Sequence, residues 1–338
     1  MGQLASPCPP WPGAVAVSGG GDSLALMLLL ADWASAAGLA APVVLTVDHG
    51  LRPGSGADAK TVVSAAKKAG LTAHVLRWRG PKPKSDIEAA ARVARYRLMG
   101  EWCRRHDIGT LYVAHSREDM AETFLIRLGR GSGVDGLAAM SALAPFPLPG
   151  FEALSVARPL LGVARSRLRS FLMDRGLSWR EDPMNEDPRF ARARLRAAWP
   201  VFEEAGLTVR RIADAAGHLA RARLALDWAT EEFLAAHAQF EGGIGLVDAA
   251  ALAAIPREIG LRALAAALGR VSGATYRPRF ERLERLMDAI AADGLGKGRT
   301  LLGCQIRPAP RRHARYGRST LLVTREPGRA RAEDCEGL

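Results

Sequence analysis

Residues 14–23, Ala-Val-Ala-Val-Ser-Gly-Gly-Gly-Asp-Ser, constrain the fold of this chain more than any other stretch. Ala14–Val17 has the apolar, partly β-branched character of a buried strand, and Leu24–Leu30 is apolar enough for a buried helix. Between them Gly19, Gly20 and Gly21 force a turn. Strand, glycine turn, helix aims unpaired backbone amides and the positive end of a helix dipole at an anion. Residues without Cβ let the backbone approach a phosphate closely, and Ser18 and Ser23 add hydroxyl donors. No Gly-Lys-Ser/Thr follows, so the turn is not a Walker loop. The third glycine of G-x-G-x-x-G is also missing. The stretch predicts a phosphate cradle of another kind, the alternative being an ordinary strand-to-helix turn.

The same alternation continues downstream. Candidate strands at Ala14–Val17, Pro42–Val47, Thr72–Trp78 and Thr110–Ala114 each precede a helical stretch, near 23–37, 56–69, 86–106 and 117–128. Repeated βα units imply an α/β fold with a Rossmann-like parallel sheet and ligands at the carboxyl ends of its strands. Ser18, Asp48, His49 and His115 all fall at such ends. Ser85-Asp86-Ile87-Glu88 has capping-box spacing, and Ile87, Ala91, Ala94, Leu98 and Trp102 predict the buried stripe of the helix that follows. Gly129 to Gly136 reads as a flexible loop. Arg165–Arg175 reads as a helix.

From residue 208 the pattern changes. Ile212, Leu219, Leu226 and Phe233 recur every seventh residue and predict one helix over 208–239, with others at 248–268 and 277–292. Strand-like pieces follow at 300–307 and 319–324. The expected organisation is a nucleotide-binding domain over 1–207, a mainly helical smaller domain over 208–325, and a disordered polar tail over 326–338.

The net charge of +12 points to a polyanionic partner, nucleic acid or an anionic membrane surface. Cys8, Cys103, Cys304 and Cys335 are too scattered for a zinc ligand set, and reduced thiols imply a cytoplasmic setting. Leu24–Leu30 is too short to span a bilayer, so no membrane association is expected.

Three further groups carry candidate chemistry. Asp48 and His49 could meet a ribose or a base, or Asp48 could simply form a turn. Asp119 and Glu122 lie three apart on a predicted helix, with His115 just before it. Such paired acids can hold Mg²⁺ or an ammonium group or accept a proton, or they can be dipole-favoured residues of a solvated first turn. Arg92, Arg95 and Tyr96 share a helix flank suited to phosphates and a stacked base, and Arg189, Arg192, Arg194 and Arg196 form a second basic cluster. Surface ion pairing is the alternative for both clusters.

Ser18-Gly19-Gly20-Gly21-Asp22-Ser23 resembles the loop of N-type ATP pyrophosphatases, the PP-loop group. Asp48–Arg52, Ala91–Tyr96, His115–Thr123, Arg130-Gly131-Ser132-Gly133, Arg158-Pro159-Leu160-Leu161 and Glu181-Asp182-Pro183 follow in order. Together they resemble the tRNA(Ile)-lysidine synthase family. Past residue 208 the resemblance is weak, and the chain reads like forms that lack the last tRNA-binding domain. Two positions depart from the family pattern: Met184 precedes Asn185, and Arg192-Ala193 stands where an Arg-Asn pair is usual.

The resemblance implies ATP and Mg²⁺ as cofactors, with Asp22 placing the ion and Ser18 to Ser23, Asp48 and His49 binding the nucleotide. The expected macromolecular substrate is tRNA(Ile) with a CAU anticodon, held by Arg92, Arg95, Tyr96, Arg130, Arg192, Arg194 and Arg196. Its wobble cytidine would be adenylated and then attacked by free L-lysine, giving lysidine, AMP and pyrophosphate. Asp119, Glu122 and His115 would orient the amine and take its proton. A homodimer is compatible with this reading. A tRNA thiolase or a non-catalytic tRNA-binding protein are the rivals, and the scattered cysteines weigh against the first.

Overall fold

A computed structural model describes residues 11–51, 54–83, 85–180, 187, 189–274 and 276–326. The chain separates into two compact units, Met1–Ala220 and Arg221–Leu338.

In the first unit the elements run β1 (Ala14–Ala16), α1 (Gly21–Ala36), β2 (Val43–Asp48), α2 (Ser55–Lys68), β3 (Ala73–Arg77), α3 (Ile87–Arg105), β4 (Thr110–Tyr112) and α4 (Arg117–Leu128). They continue through α5 (Val134–Leu137), β5 (Leu143–Pro145), β6 (Ser155–Ala157), α6 (Arg165–Met173) and α7 (Ala191–Glu204). The strands form one sheet in the order β3-β2-β1-β4-β6-β5, parallel except for the edge strand β5. Period-two alternation sorts the core onto two faces. Val15, Val44, Tyr112 and Ala157 pack with Leu26, Met27, Leu30 and Leu168 on one side. Ala14, Leu45, Leu111 and Val156 pack with Met99, Trp102 and Phe146 on the other. Strand order reverses between β1 and β4, and the crevice at their carboxyl ends is where such sheets bind ligands.

Helix α3 differs from the expected pattern. It starts at Ile87, which is 41% exposed, after Asp86 in the left-handed region with φ 49° and no side-chain cap. The Glu88 side chain of the expected capping box lies outside the described residues. Of the predicted stripe only Trp102 is buried, with Tyr96, Met99 and Cys103 as its neighbours, all in the second half of the helix. Gly100 explains the close approach there, because a Cβ would sit 2.8 Å from Phe151 and 2.9 Å from Phe146. The glycine-rich loop after α4 is also less open than expected, because it contains α5 and Arg127 donates to the Gly136 and Ala139 carbonyls at 2.8 Å.

The second unit holds most of α8 (Val209–His237), then β7 (Ala238–Glu241), β8 (Ile244–Asp248), α9 (Ala249–Ala254), α10 (Arg257–Ser272), α11 (Phe280–Ala291), β9 (Arg299–Leu301), β10 (Cys304–Pro308) and β11 (Thr320–Arg325). An antiparallel sheet β7-β8-β11-β10-β9 carries these helices on a core that includes Leu252, Leu264, Leu268, Leu286, Ile306 and Val323. The helical content and the strand near 319–324 follow the sequence reading, but the piece expected at 300–307 is two antiparallel strands turned at Leu302 and Gly303, and the β7–β8 hairpin was not anticipated. Its turn is Gly242-Gly243 with φ 57° and 76°, the positive pair that tight hairpins demand. The single helix expected over 248–268 is two, because Pro256 lacks the amide that would continue the first. The expected tail lies outside the described residues beyond Glu326.

Candidate active site

The glycine turn lies between β1 and α1. Gly19 has φ 92°, a conformation that favours glycine, and Gly20 caps α1 without a side-chain bond. Ser23 Oγ donates to the Gly20 carbonyl at 2.9 Å and accepts from the Ser18 amide at 3.2 Å, which pins the loop to the first helical turn. First-turn amides of any helix lack intrahelical partners, so α1 offers donors at the crevice. Gly21 serves a second purpose: a Cβ there would lie 3.2 Å from the Trp179 ring.

Across the switch point, β4 delivers His115 and Ser116 to the start of α4. Ser116 donates both its amide and its hydroxyl to Asp119 Oδ2, each at 2.9 Å, a capping arrangement that fixes the carboxylate. Asp119 is 6% exposed and Glu122 2%, so neither belongs to a solvated first turn. Arg165, which opens α6, joins the two sides of the crevice. Its Nε lies 2.9 Å from Asp22 Oδ2 and its Nη2 3.4 Å from Asp119 Oδ1. One guanidinium therefore links the acid of the glycine turn to Asp119. Its backbone amide donates to the Glu118 carboxylate at 2.9 Å, so α4 caps α6. The Arg117 amide donates to the Val163 carbonyl at 3.0 Å and closes the same seam.

Two arginines of α7 complete the centre. Arg196 Nε and Nη2 donate to Glu122 at 2.7 and 3.2 Å. Arg192 spans both acids, 3.7 Å from Asp119 and 3.8 Å from Glu122. Burial alone would raise the Asp119 pKa, but Arg165, the Ser116 amide and Arg192 outweigh it and hold the carboxyl below its usual range. Asp22 moves the other way: burial, joined by the charges of Asp119 and Glu118, raises it against the pull of Arg165. His115 is pushed down to about 4, by burial first and then by Arg158, Arg92 and Arg192 against the pull of Asp119. It is therefore neutral near pH 7, and its buried Nδ1 has no hydrogen-bond partner among the described residues.

The other expected residues are distributed as follows. Asp48 Oδ1 accepts from Ser55 Oγ at 2.6 Å and from the Gly50 amide at 3.2 Å, so it does form a turn at the end of β2. His49 Nδ1 accepts from the Leu51 amide at 3.1 Å. Arg92 and Arg95 are exposed on α3, but Tyr96 is 6% exposed, edge-on to Phe146 and hydrogen-bonded to Arg158. Its expected stacking on a base does not fit that position, because the ring completes the hydrophobic core. Arg192 and Arg196, expected to meet RNA phosphates, face the acid pair instead, because two buried carboxylates need counter-ions. Arg130 and Arg194 are exposed. Arg52, Glu181, Asp182, Pro183, Met184 and Asn185 lie outside the described residues.

Sequence reasoning missed Arg165 and Glu118. A signal existed, since a basic residue opposes the helix dipole at an N-terminus and so points to a tertiary role. Among the described residues no group of three or more metal-ligating side chains occurs, and no helix is long and apolar enough to cross a membrane.

A glycine cradle and a buried acid pair on either side of the switch point define a PP-loop nucleotide-binding protein, and the PP-loop domain family ATP_bind_3 matches residues 5–201. A tRNA(Ile)-lysidine synthase from Ruegeria pomeroyi is 40% identical over 302 residues, 86% of this chain and 70% of that protein. One from Bradyrhizobium sp. (strain BTAi1) is 41% identical over 305 residues, 85% of this chain and 83% of that protein. One from Wolbachia pipientis wMel is 36% identical, covering 92% of this chain and 70% of that protein. The chain belongs to the tRNA(Ile)-lysidine synthase family. Among solved structures, the U34-tRNA thiolase NcsA from Methanococcus maripaludis with its [4Fe-4S] cluster superposes with TM-score 0.50 at 15% identity. The match covers 62% of this chain and 72% of that one, a likeness of fold alone.

Proposed function

We propose that this chain ligates L-lysine to the wobble cytidine of tRNA(Ile) with a CAU anticodon, using ATP and releasing AMP and pyrophosphate. The observation that supports the reading is the Arg165 bridge, which links Asp22 of the glycine turn to Asp119 of the buried acid pair. ATP would lie with its phosphates on the amides of Gly19 to Ser23 and its nucleoside toward Asp48 and His49. The base C2 oxygen attacks the α-phosphorus and pyrophosphate departs. The lysine ε-nitrogen then attacks C2, the bond to AMP breaks, and the amine proton passes to a carboxylate.

Asp119, held ionised, is suited to binding and orienting the ammonium, and Glu122 shares that cation. His115, neutral and with Nδ1 unpaired among the described residues, can hydrogen-bond the nucleotide or the amine. Mg²⁺ prefers oxygen ligands and keeps several waters, so the single carboxylate of Asp22 together with phosphate oxygens fits it. Bound there, the ion would offset charge on the transferring phosphoryl group. Arg92, Arg95, Arg130 and Arg194 present exposed cations for tRNA phosphates. Residues 1–207 would supply this chemistry and 208–325 a further tRNA surface, in the cytoplasm, where the substrate resides.

Incubation with radiolabelled lysine, ATP and total bacterial tRNA is the direct test. Label in tRNA with stoichiometric AMP and pyrophosphate is expected. ADP and orthophosphate as products would overturn the reading.

A further inference from the structure

Arg192 meets the acid pair unlike its neighbours. Arg196 hydrogen-bonds Glu122 at 2.7 and 3.2 Å, and Arg165 hydrogen-bonds Asp22 at 2.9 Å. Arg192 lies between the acids, with Nη1 3.7 Å from Asp119 Oδ1 and Nε 3.8 Å from Glu122 Oε2, too far for a hydrogen bond to either. Its side chain is 38% exposed, whereas those of Asp119 and Glu122 are 9% and 3% exposed. Among the described residues these two ion pairs are its polar contacts, and part of its side chain is exposed.

The charges of the linked ion pairs point the same way. Asp22, Asp119 and Glu122 are balanced by Arg165, Arg192 and Arg196. Within that set, among the described residues, withdrawing Arg192 leaves the carboxylates one cation fewer than before, a place that a single ammonium could take.

We propose that Arg192 is an internal stand-in for the substrate amine, occupying the place between Asp119 and Glu122 in the free protein and vacating it before lysine binds. The inference rests on the reading above that the acid pair receives lysine. Arg194 on α7 is exposed, as is Arg189 just ahead of it although paired with Asp187, so an RNA backbone reaching this face draws Arg192 outward by the same attraction. Binding of tRNA thereby opens the amine site.

Equilibrium dialysis of radiolabelled lysine against the full chain tests this. A partly exposed ion pair is worth little, so Arg192→Gln should tighten lysine binding by about fivefold in the absence of tRNA. Arg192→Lys, which restores a cation, should stay within about twofold of wild type. Saturating tRNA should tighten lysine for the wild-type protein by about the same fivefold and for Arg192→Gln by less, an outcome readable on wild type whatever the variants do. Lysine binding by Arg192→Gln no tighter than wild type, or an absence of any tRNA effect on wild type, overturns the proposal. Asp119→Asn separates the two readings. If it binds lysine as wild type does, the acid pair is not the lysine site and the proposed function of that pair fails on its own.

Discussion

Asp119 accepts two hydrogen bonds from Ser116 and faces two guanidiniums, an investment that a merely structural turn does not require. Asp119→Asn keeps the shape and removes the charge. Lysine incorporation should fall at least about a hundredfold, the scale on which lost orientation and proton transfer are felt, while tRNA binding in a filter assay persists. Glu122→Gln should behave alike, with an added stability loss of about 1 kcal/mol because the partly exposed Arg196 loses its charged partner.

His115 makes a separate prediction about pH. Its pKa is about 4 in the folded chain against an ordinary 6.5, so between those values the unfolded chain takes up the proton and the folded chain does not. Stability therefore rises with pH across this window and is lost as pH falls through it. His115→Gln cannot protonate, so the difference in melting temperature between wild type and variant should shift in the variant's favour from pH 6.5 down to 4. A difference constant with pH would remove the burial account. None of this electrostatics was readable from residue order, because His115, Arg92, Arg158 and Arg192 come from four separate segments.

At the scale of elements, local propensity and tertiary demand part company at identifiable places. β1, β2, β4 and α4 were legible, because period-two and period-3.6 apolar patterns report burial directly. The face of α3 was not, because its apolar residues are spread round the helix and only contact with Phe146 and Phe151 selects one side. Gly100→Ala should therefore cost about 1–3 kcal/mol by overpacking, measured by urea unfolding, although alanine is the better helix former. Helix α6 shows the converse. Its N-terminus carries Arg165, against the dipole, and Glu118 from α4 supplies the missing cap. Glu118→Ala should cost about 1 kcal/mol and also lower activity, since the cap sets where Arg165 points.

Over the whole molecule, 47 basic residues stand against 35 acidic ones, an excess that favours a polyanionic partner. Affinity for tRNA should fall steeply between low and physiological salt, with the logarithm of the binding constant linear in the logarithm of salt concentration. A flat response would mean that the excess charge is not an RNA footprint. Sequence alone determined the order of βα units, the glycine turn and the positions of the acid pair, because strand and helix periods and Cβ-free turns are local properties. Which arginines face outward was decided only by the tertiary structure. Arg192, Arg194 and Arg196 look equivalent in the chain, yet two turn inward to buried carboxylates and one stays exposed. A side chain's partner depends on what the rest of the fold has buried nearby, and Arg165 could be found only once distant segments had met.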